Sequence, residues 1–231
     1  MNTVPSPLAS VVTIASLTWT RMIRGRALWV SLLIGALPIM YGGAAKRAGS
    51  AAGNEIFVFE VLIAMVLAPM FVASSIGEEI EDRTTTYLWS RPVARWTIIA
   101  GKLLTFIPVT CAIVTASWVF ASKVSWDQWP DPRPTIALAA GVAVLCVISA
   151  GIATLAPKHG MALTICYVLF LDSPLGVLPA TFNQISVTHH VRALAGIWSG
   201  EDAMRTPLIA LALISAVWIA IIGLRIRRLE V

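Results

Sequence analysis

Six stretches of the chain are apolar for long enough to cross a lipid bilayer. They cover residues 27–45, 56–77, 103–122, 135–156, 161–179 and 207–224. A spanning helix needs roughly 20 mostly apolar residues, each rising about 1.5 Å. Composition points the same way. Of the 231 residues, 58% are hydrophobic and 13% are charged, where a soluble domain carries about 25% charged residues. A soluble fold of this size lacks the volume to hide so much apolar surface. The expected fold class is all-α, a polytopic integral membrane protein with one transmembrane domain over residues 1–231. Asp172 and Pro174 interrupt the fifth stretch, which makes it the weakest. Pro69 and Pro108 fall inside the second and third helices, where kinks are expected.

The basic residues set the expected orientation. Arg21, Arg24 and Arg26 precede the first stretch, and Arg225, Arg227 and Arg228 follow the last. Both termini therefore read as cytoplasmic, which requires an even number of crossings. With Arg83, Arg91, Arg95, Lys102 and Lys158, eleven of the seventeen Lys and Arg fall on the cytoplasmic side. The expected location is the cytoplasmic (inner or plasma) membrane. The net charge of +5 is no sign of nucleic acid, because the basic residues flank apolar runs, as headgroup anchors do. Arg21 is the first basic residue and follows the first mildly apolar stretch, so no signal peptide is expected.

Two further segments have helical periodicity without the length or apolarity of a span. In residues 8–23, Leu8, Val11, Val12, Ala15, Trp19, Met22 and Ile23 share one face, opposite Ser10, Thr13, Thr20 and Arg24. This predicts an amphipathic helix lying in the cytoplasmic interface; a seventh span would break the parity. In the outer connection 180–206, Val187, Val191, Leu194, Ala195 and Trp198 recur at helical spacing. A short amphipathic helix is expected there, at or dipping into the outer face. The outer loop 126–134 holds three prolines and two aspartates and should be extended.

The cytoplasmic connection after the second span, residues 78–91, is the most informative part of the sequence. Glu78, Glu79, Glu81 and Asp82 open it, where a helix dipole favours negative charge. Ile80, Thr84, Tyr87 and Leu88 make one face. Arg91 is pushed out of helical geometry by Pro92, which suits the first turn of the next helix. The pattern predicts a short charged helix, a sharp corner and then the third span, a shape suited to touching another protein.

This connection resembles the type-2 family of ATP-binding-cassette (ABC) exporter permeases. The resemblance rests on Glu79 and Glu81, then Thr86, Tyr87-Leu88, Arg91-Pro92-Val93-Ala94-Arg95 and Gly101-Lys102, in that order beside the right helix. Ala94 replaces the commoner Ser, and Trp89 stands where a small aliphatic residue is usual. The resemblance implies six spans, an interfacial N-terminal helix and a partly re-entrant hairpin before the last span. It also implies two permeases, most simply a homodimer, and two copies of a cytoplasmic ABC ATPase. Residues 78–91 would form a coupling helix seated in a groove of that ATPase, with Glu79, Glu81, Asp82, Arg83, Thr86, Tyr87, Leu88, Arg91, Pro92 and Arg95 as the coupling residues.

No enzymatic machinery is expected in the chain itself. Gly101-Lys102 is followed by Leu103 and lacks the upstream glycine of a phosphate loop, so ATP and Mg should belong to the partner ATPase and no cofactor to this chain. Neither HExxH nor GxSxG occurs. His189 and His190 are adjacent, so on a helix they point about 100° apart, and no metal site is expected. Cys111, Cys146 and Cys166 lie in apolar runs and read as packing residues. Lys102 is expected to snorkel to the interface. Glu60 and Asp172 lie within spans, where acids are costly and face a cavity or a partner. They are candidate pathway acids at a polar outer mouth; the alternatives are pairing with Lys46, Arg47 or Arg192, or simple snorkelling. The rival functions are a non-transporting membrane subunit that anchors a complex, and an intramembrane enzyme, for which convergent polar groups are too few.

Overall fold

The computed structural model describes residues 6–49, 53–81, 94–178, 181–196 and 205–228. All regular structure among them is helical. Five helices are long and apolar enough to cross a membrane: Arg26–Arg47, Gly53–Gly77, Trp96–Trp126, Pro132–Leu155 and Arg205–Ile226. They match the first, second, third, fourth and sixth expected stretches.

Helix α1 (Pro7–Arg24) precedes them. Ser6 caps it, its hydroxyl accepting from the Ala9 N–H at 3.3 Å, and Pro7 takes the first turn, where a missing N–H costs nothing. Gly25 ends it. The first span is α2 (Arg26–Gly35) and α3 (Leu37–Arg47), broken at Ala36 just ahead of Pro38. The second is α4 (Gly53–Ala68), a π-turn at Pro69–Ala73, and α5 (Ser74–Glu81). Helix α6 (Trp96–Trp126) contains Pro108 without a break, and α7 (Pro132–Leu155) starts behind an Asp131 cap.

The fifth stretch differs from a plain span. It forms α8 (Gly160–Cys166), a π-turn at Tyr167–Asp172 and the single turn α9 (Ser173–Leu175). This run is shorter than the other spans. Helix α10 (Val187–Ala195) follows, where a short helix was expected, and α11 (Arg205–Arg228) closes the chain. Trp198, expected on the α10 face, lies outside the described residues.

Both π-turns sit beside a proline, which has no N–H and leaves the carbonyl one turn earlier without its partner. At the first, the Ser74 N–H bonds five residues back to Pro69 O, and the Ser74 hydroxyl donates to the Met70 carbonyl. At the second, the Ser173 N–H reaches Val168 O, immediately before Pro174.

Helix α7 is the hub. Helices α4, α6, α8, α10 and α11 all pack on it, and 78% of its most apolar window is buried, against 22% for the first span and 17% for the last. Small residues make this crowding feasible, as close helix approach in a bilayer requires. A Cβ on Gly141 would lie 2.6 Å from Val191 Cγ2 of α10, and one on Gly151 would lie 2.4 Å from the Trp218 ring of α11. Helix α1 lies along α6, where a Cβ on Gly101 would meet Ile14 at 2.8 Å. At the end of the bundle far from α1, Lys46 Nζ meets Asp127 at 2.5 Å, joining α3 to the end of α6. That hydrogen bond from Lys46 holds the Asp127 carboxyl below the usual carboxylate range.

The close approach of α10 to α7 predicts that Gly141→Val destabilises the folded protein by about 1–3 kcal/mol, the usual cost of overpacking. Gly223→Ala, at a glycine with nothing within 4 Å, should leave the thermal midpoint in detergent unchanged or raised. Equal effects of the two would show that the tight α7–α10 contact does not matter to stability.

Candidate functional site

Of the residues singled out in the sequence, 82–93 lie outside the described structure. This takes in Asp82, Arg83, Thr86, Tyr87, Leu88, Arg91 and Pro92. Glu79 and Glu81 belong to the backbone of α5, and Arg95 immediately precedes α6. What the structure does show is the frame that holds this segment. Helix α5 packs on the Pro157–His159 turn, so closely that a Cβ on Gly77 would lie 2.8 Å from the Pro157 carbonyl. The start of α6 is fixed by the Thr97 hydroxyl, which donates to Ala94 O at 2.5 Å.

Lys102 links the two sides of the frame. It is 2% exposed, and its ammonium donates to the Ser75 carbonyl at 2.6 Å. The expectation that it snorkels is thus overturned. A helix carbonyl has two lone pairs, and the ammonium takes one that the helix leaves over.

Glu60 is fully buried between α4, α6 and the break in the first span. Its Oε1 lies 2.6 Å from the Ser117 hydroxyl oxygen, which lies 2.5 Å from the Gly35 carbonyl beside that break. The Ser117 hydroxyl thus bridges the Glu60 carboxyl and the Gly35 carbonyl. The second carboxyl oxygen, Oε2, has no hydrogen-bond partner among the described residues.

Asp172 ends the second π-turn and is 2% exposed. Its carboxylate accepts from the Val187 N–H at 2.7 Å, the Thr188 N–H at 3.0 Å and the Thr188 hydroxyl at 2.6 Å. The Ser186 hydroxyl donates to the Asp172 carbonyl at 2.9 Å and accepts from the His189 N–H. The carboxylate therefore lies on the amino end of α10, where the exposed N–H groups and the helix dipole favour an anion. Neither acid has Lys46, Arg47 or Arg192 as its hydrogen-bond partner. The partners they do have lie far along the chain, and no sequence spacing announces Ser117 or the Ser186–Thr188 turn.

His189 and His190 stack edge to face with ring centroids 5.2 Å apart, and His190 Nε2 lies 2.8 Å from Gln184 O. No group of three metal-ligating side chains is found among the described residues.

The comparison that decides the family covers most of the chain. Residues 12–222 match the family described as ABC-2 family transporter protein. The chain belongs to this family. No curated protein matches it. The family makes the chain an ABC transporter permease, a multi-pass membrane component, and implies an ATPase partner. The frame around residues 82–93 and the two buried acids are thus features of a permease.

The two acids should respond oppositely to amide replacement. Glu60→Gln keeps a polar group of the same shape facing Ser117 and should stay within about 1 kcal/mol of the wild type. Asp172→Asn turns an NH₂ group toward donors on α10 and should cost about 1–3 kcal/mol. Thermal unfolding in a fixed detergent measures both. A larger loss for Glu60→Gln than for Asp172→Asn would overturn this ordering.

Proposed function

We propose that this permease is half of an exporter's translocation pathway, working as a homodimer with two copies of a cytoplasmic ABC ATPase. In this reading both termini are cytoplasmic, α1 lies in the cytoplasmic interface, and the run from α8 to α10 is the re-entrant hairpin on the outer side. Family membership across residues 12–222 carries the proposal. The segment 78–91 is the coupling element, and Glu79, Glu81, Asp82, Arg83, Thr86, Tyr87, Leu88, Arg91, Pro92 and Arg95 form its contact with the ATPase. Support comes from its setting: α5 and α6, which flank it, are held to each other by Lys102 and Ser75. A push on the segment therefore reaches the second and third spans together, and a shared displacement of packed helices can switch access between the two sides. Glu60 and Asp172 are engaged within the chain, and we assign them structural roles.

The coupling element is testable without knowing the cargo. Removing one partner of a buried charge pair costs about 2–5 kcal/mol, and truncating a central aromatic anchor typically costs about 2 kcal/mol or more. Glu81→Lys and Tyr87→Ala should each lower retention of the ATPase on the purified permease about tenfold or more, while the variants still insert and keep the wild-type thermal midpoint. Wild-type retention by both variants would remove the segment from the interface. In a separate test, the purified permease alone should hydrolyse no ATP. Turnover by homogeneous protein would contradict the division of labour. Cysteine placed at Thr13 should resist impermeant reagents added from outside the cell, and labelling there would reverse the orientation.

A further inference from the structure

A cavity of about 340 Å³ opens at the end of the bundle far from α1, between the start of α4, the last turns of α6 and the connection that leads into α7. Four aromatic rings line it. Phe57 and Trp118 are buried and make its floor, and Trp126 and Trp129 are exposed at its mouth. Phe57 meets Trp118 edge to face at 5.6 Å between centroids, and Trp118 meets Trp126 in the same way at 6.0 Å. The polar side chains of the lining are the amides of Asn54 and Gln128 and the carboxylate of Asp131.

We propose that this cavity binds an organic ammonium ion of the trimethylammonium kind, with the cation against the Trp126 and Trp129 rings and the Asp131 carboxylate as its counter-charge. A choline-like solute and the phosphocholine headgroup of a lipid share this chemistry. The inference rests on the cavity itself and not on what the permease transports.

Charge selects a cation. Asp131 is the one charged side chain of the described lining. Its Oδ1 accepts from the Arg133 N–H at 2.9 Å, which uses one of its two oxygens. The undescribed stretches 50–52, 179–180 and 197–204, which join helices at this end, hold no Lys, Arg or His. Nearby cations are engaged in the connection itself. Lys46 is bound to the Asp127 carboxylate, and Lys123 donates to the Asp127 carbonyl at 2.8 Å. The Lys123 ammonium also lies 5.4 Å from the centroid of the Trp129 ring. The rim thus already holds a cation of the protein's own by the attraction that the proposal invokes.

The rings select an organic ammonium over a metal ion. A hard cation seeks a cluster of oxygen ligands, and a single carboxylate does not make one. A quaternary ammonium has no N–H to satisfy, sheds its water easily and gains from aromatic faces. The rings are also held in place before a ligand arrives. A Cβ on Gly53 would lie 3.0 Å from Trp126 Cζ2, so the glycine lets that ring lie against the start of α4 while Trp118 meets it edge to face. A wall fixed in advance has less side-chain freedom to lose on binding. The volume is at the lower end of small-ligand pockets and suits a headgroup or a small solute.

The test uses the full-length permease in a neutral polyoxyethylene detergent, which carries neither sugar nor ammonium, and follows choline binding by saturation-transfer NMR. The wild type should bind choline about tenfold more tightly than dimethylbutanol, its neutral isostere with carbon in place of nitrogen. Trp126→Leu keeps an apolar side chain, removes the ring and should weaken choline binding about fivefold. Asp131→Asn still caps α7 and should weaken it about threefold. Trp29→Leu, at an exposed tryptophan of the first span outside the cavity lining, should change it less than about twofold. Lys123→Met removes a neighbouring cation and should leave choline binding unchanged or tighter. Equal affinity for choline and its isostere in the wild type would overturn the proposal. So would a loss in Trp29→Leu equal to that in Trp126→Leu, full binding by Asp131→Asn, or weaker binding by Lys123→Met. Dihexanoyl phosphatidylcholine separates the two sources. Stronger competition than by free choline assigns the site to a lipid headgroup, and weaker competition assigns it to a soluble cation.

Discussion

A backbone group freed inside a bilayer has no water to turn to, so each interruption of a helix must be repaired by the protein itself. Three of the polar contacts in this permease are such repairs. The Ser117 hydroxyl reaches the Gly35 carbonyl where Pro38 ends the regular ladder of the first span. The Ser74 hydroxyl turns back onto Met70 at the first π-turn. Asp172 closes the amino end of α10. Each repair comes from a neighbouring turn or helix and so also ties elements together. The arrangement of the bundle follows from where its helices are broken as much as from where they are apolar.

That dependence explains what could be read in advance. The apolar periods are a local property, so helical segments were legible from them, although the third begins at Trp96 where 103 was expected and the fifth forms only the short run from α8 to α9. The disturbance at Pro69 was legible too, although its form, a wider turn, was not. The polar partners were not legible. Ser117 lies 57 residues from Glu60, and Thr188 lies 16 from Asp172 across a turn with no regular period. Asp172 and Pro174 weakened the case for a fifth span, and the same two residues make that segment shorter and hold the helix that follows it. Lys102 looked like an interfacial residue because the nearest carbonyl with a spare lone pair belongs to another helix.

Packing divides the chain into a centre and a periphery. Helices α4 and α7 are enclosed by their neighbours, whereas the first span and α11 leave rows of large side chains such as Trp29, Leu33, Met40, Leu213 and Val217 exposed. These rows face lipid or another transmembrane chain, since water is not an option for them at that depth. A dimer would therefore have apolar surface available on either flank without disturbing the α7 hub.

The Lys102–Ser75 bond has a consequence for the length of the segment it spans. In chain-statistical terms the two partners, 27 positions apart in sequence, close a loop whose ends are already joined by the bundle. The entropy of closing such a loop rises only with the logarithm of its length, and a doubling costs about 0.6 kcal/mol. By that logarithm, the number of residues between Ser75 and Lys102 matters little to the entropy of joining α5 to α6, whereas the bond itself decides that the two helices move as one.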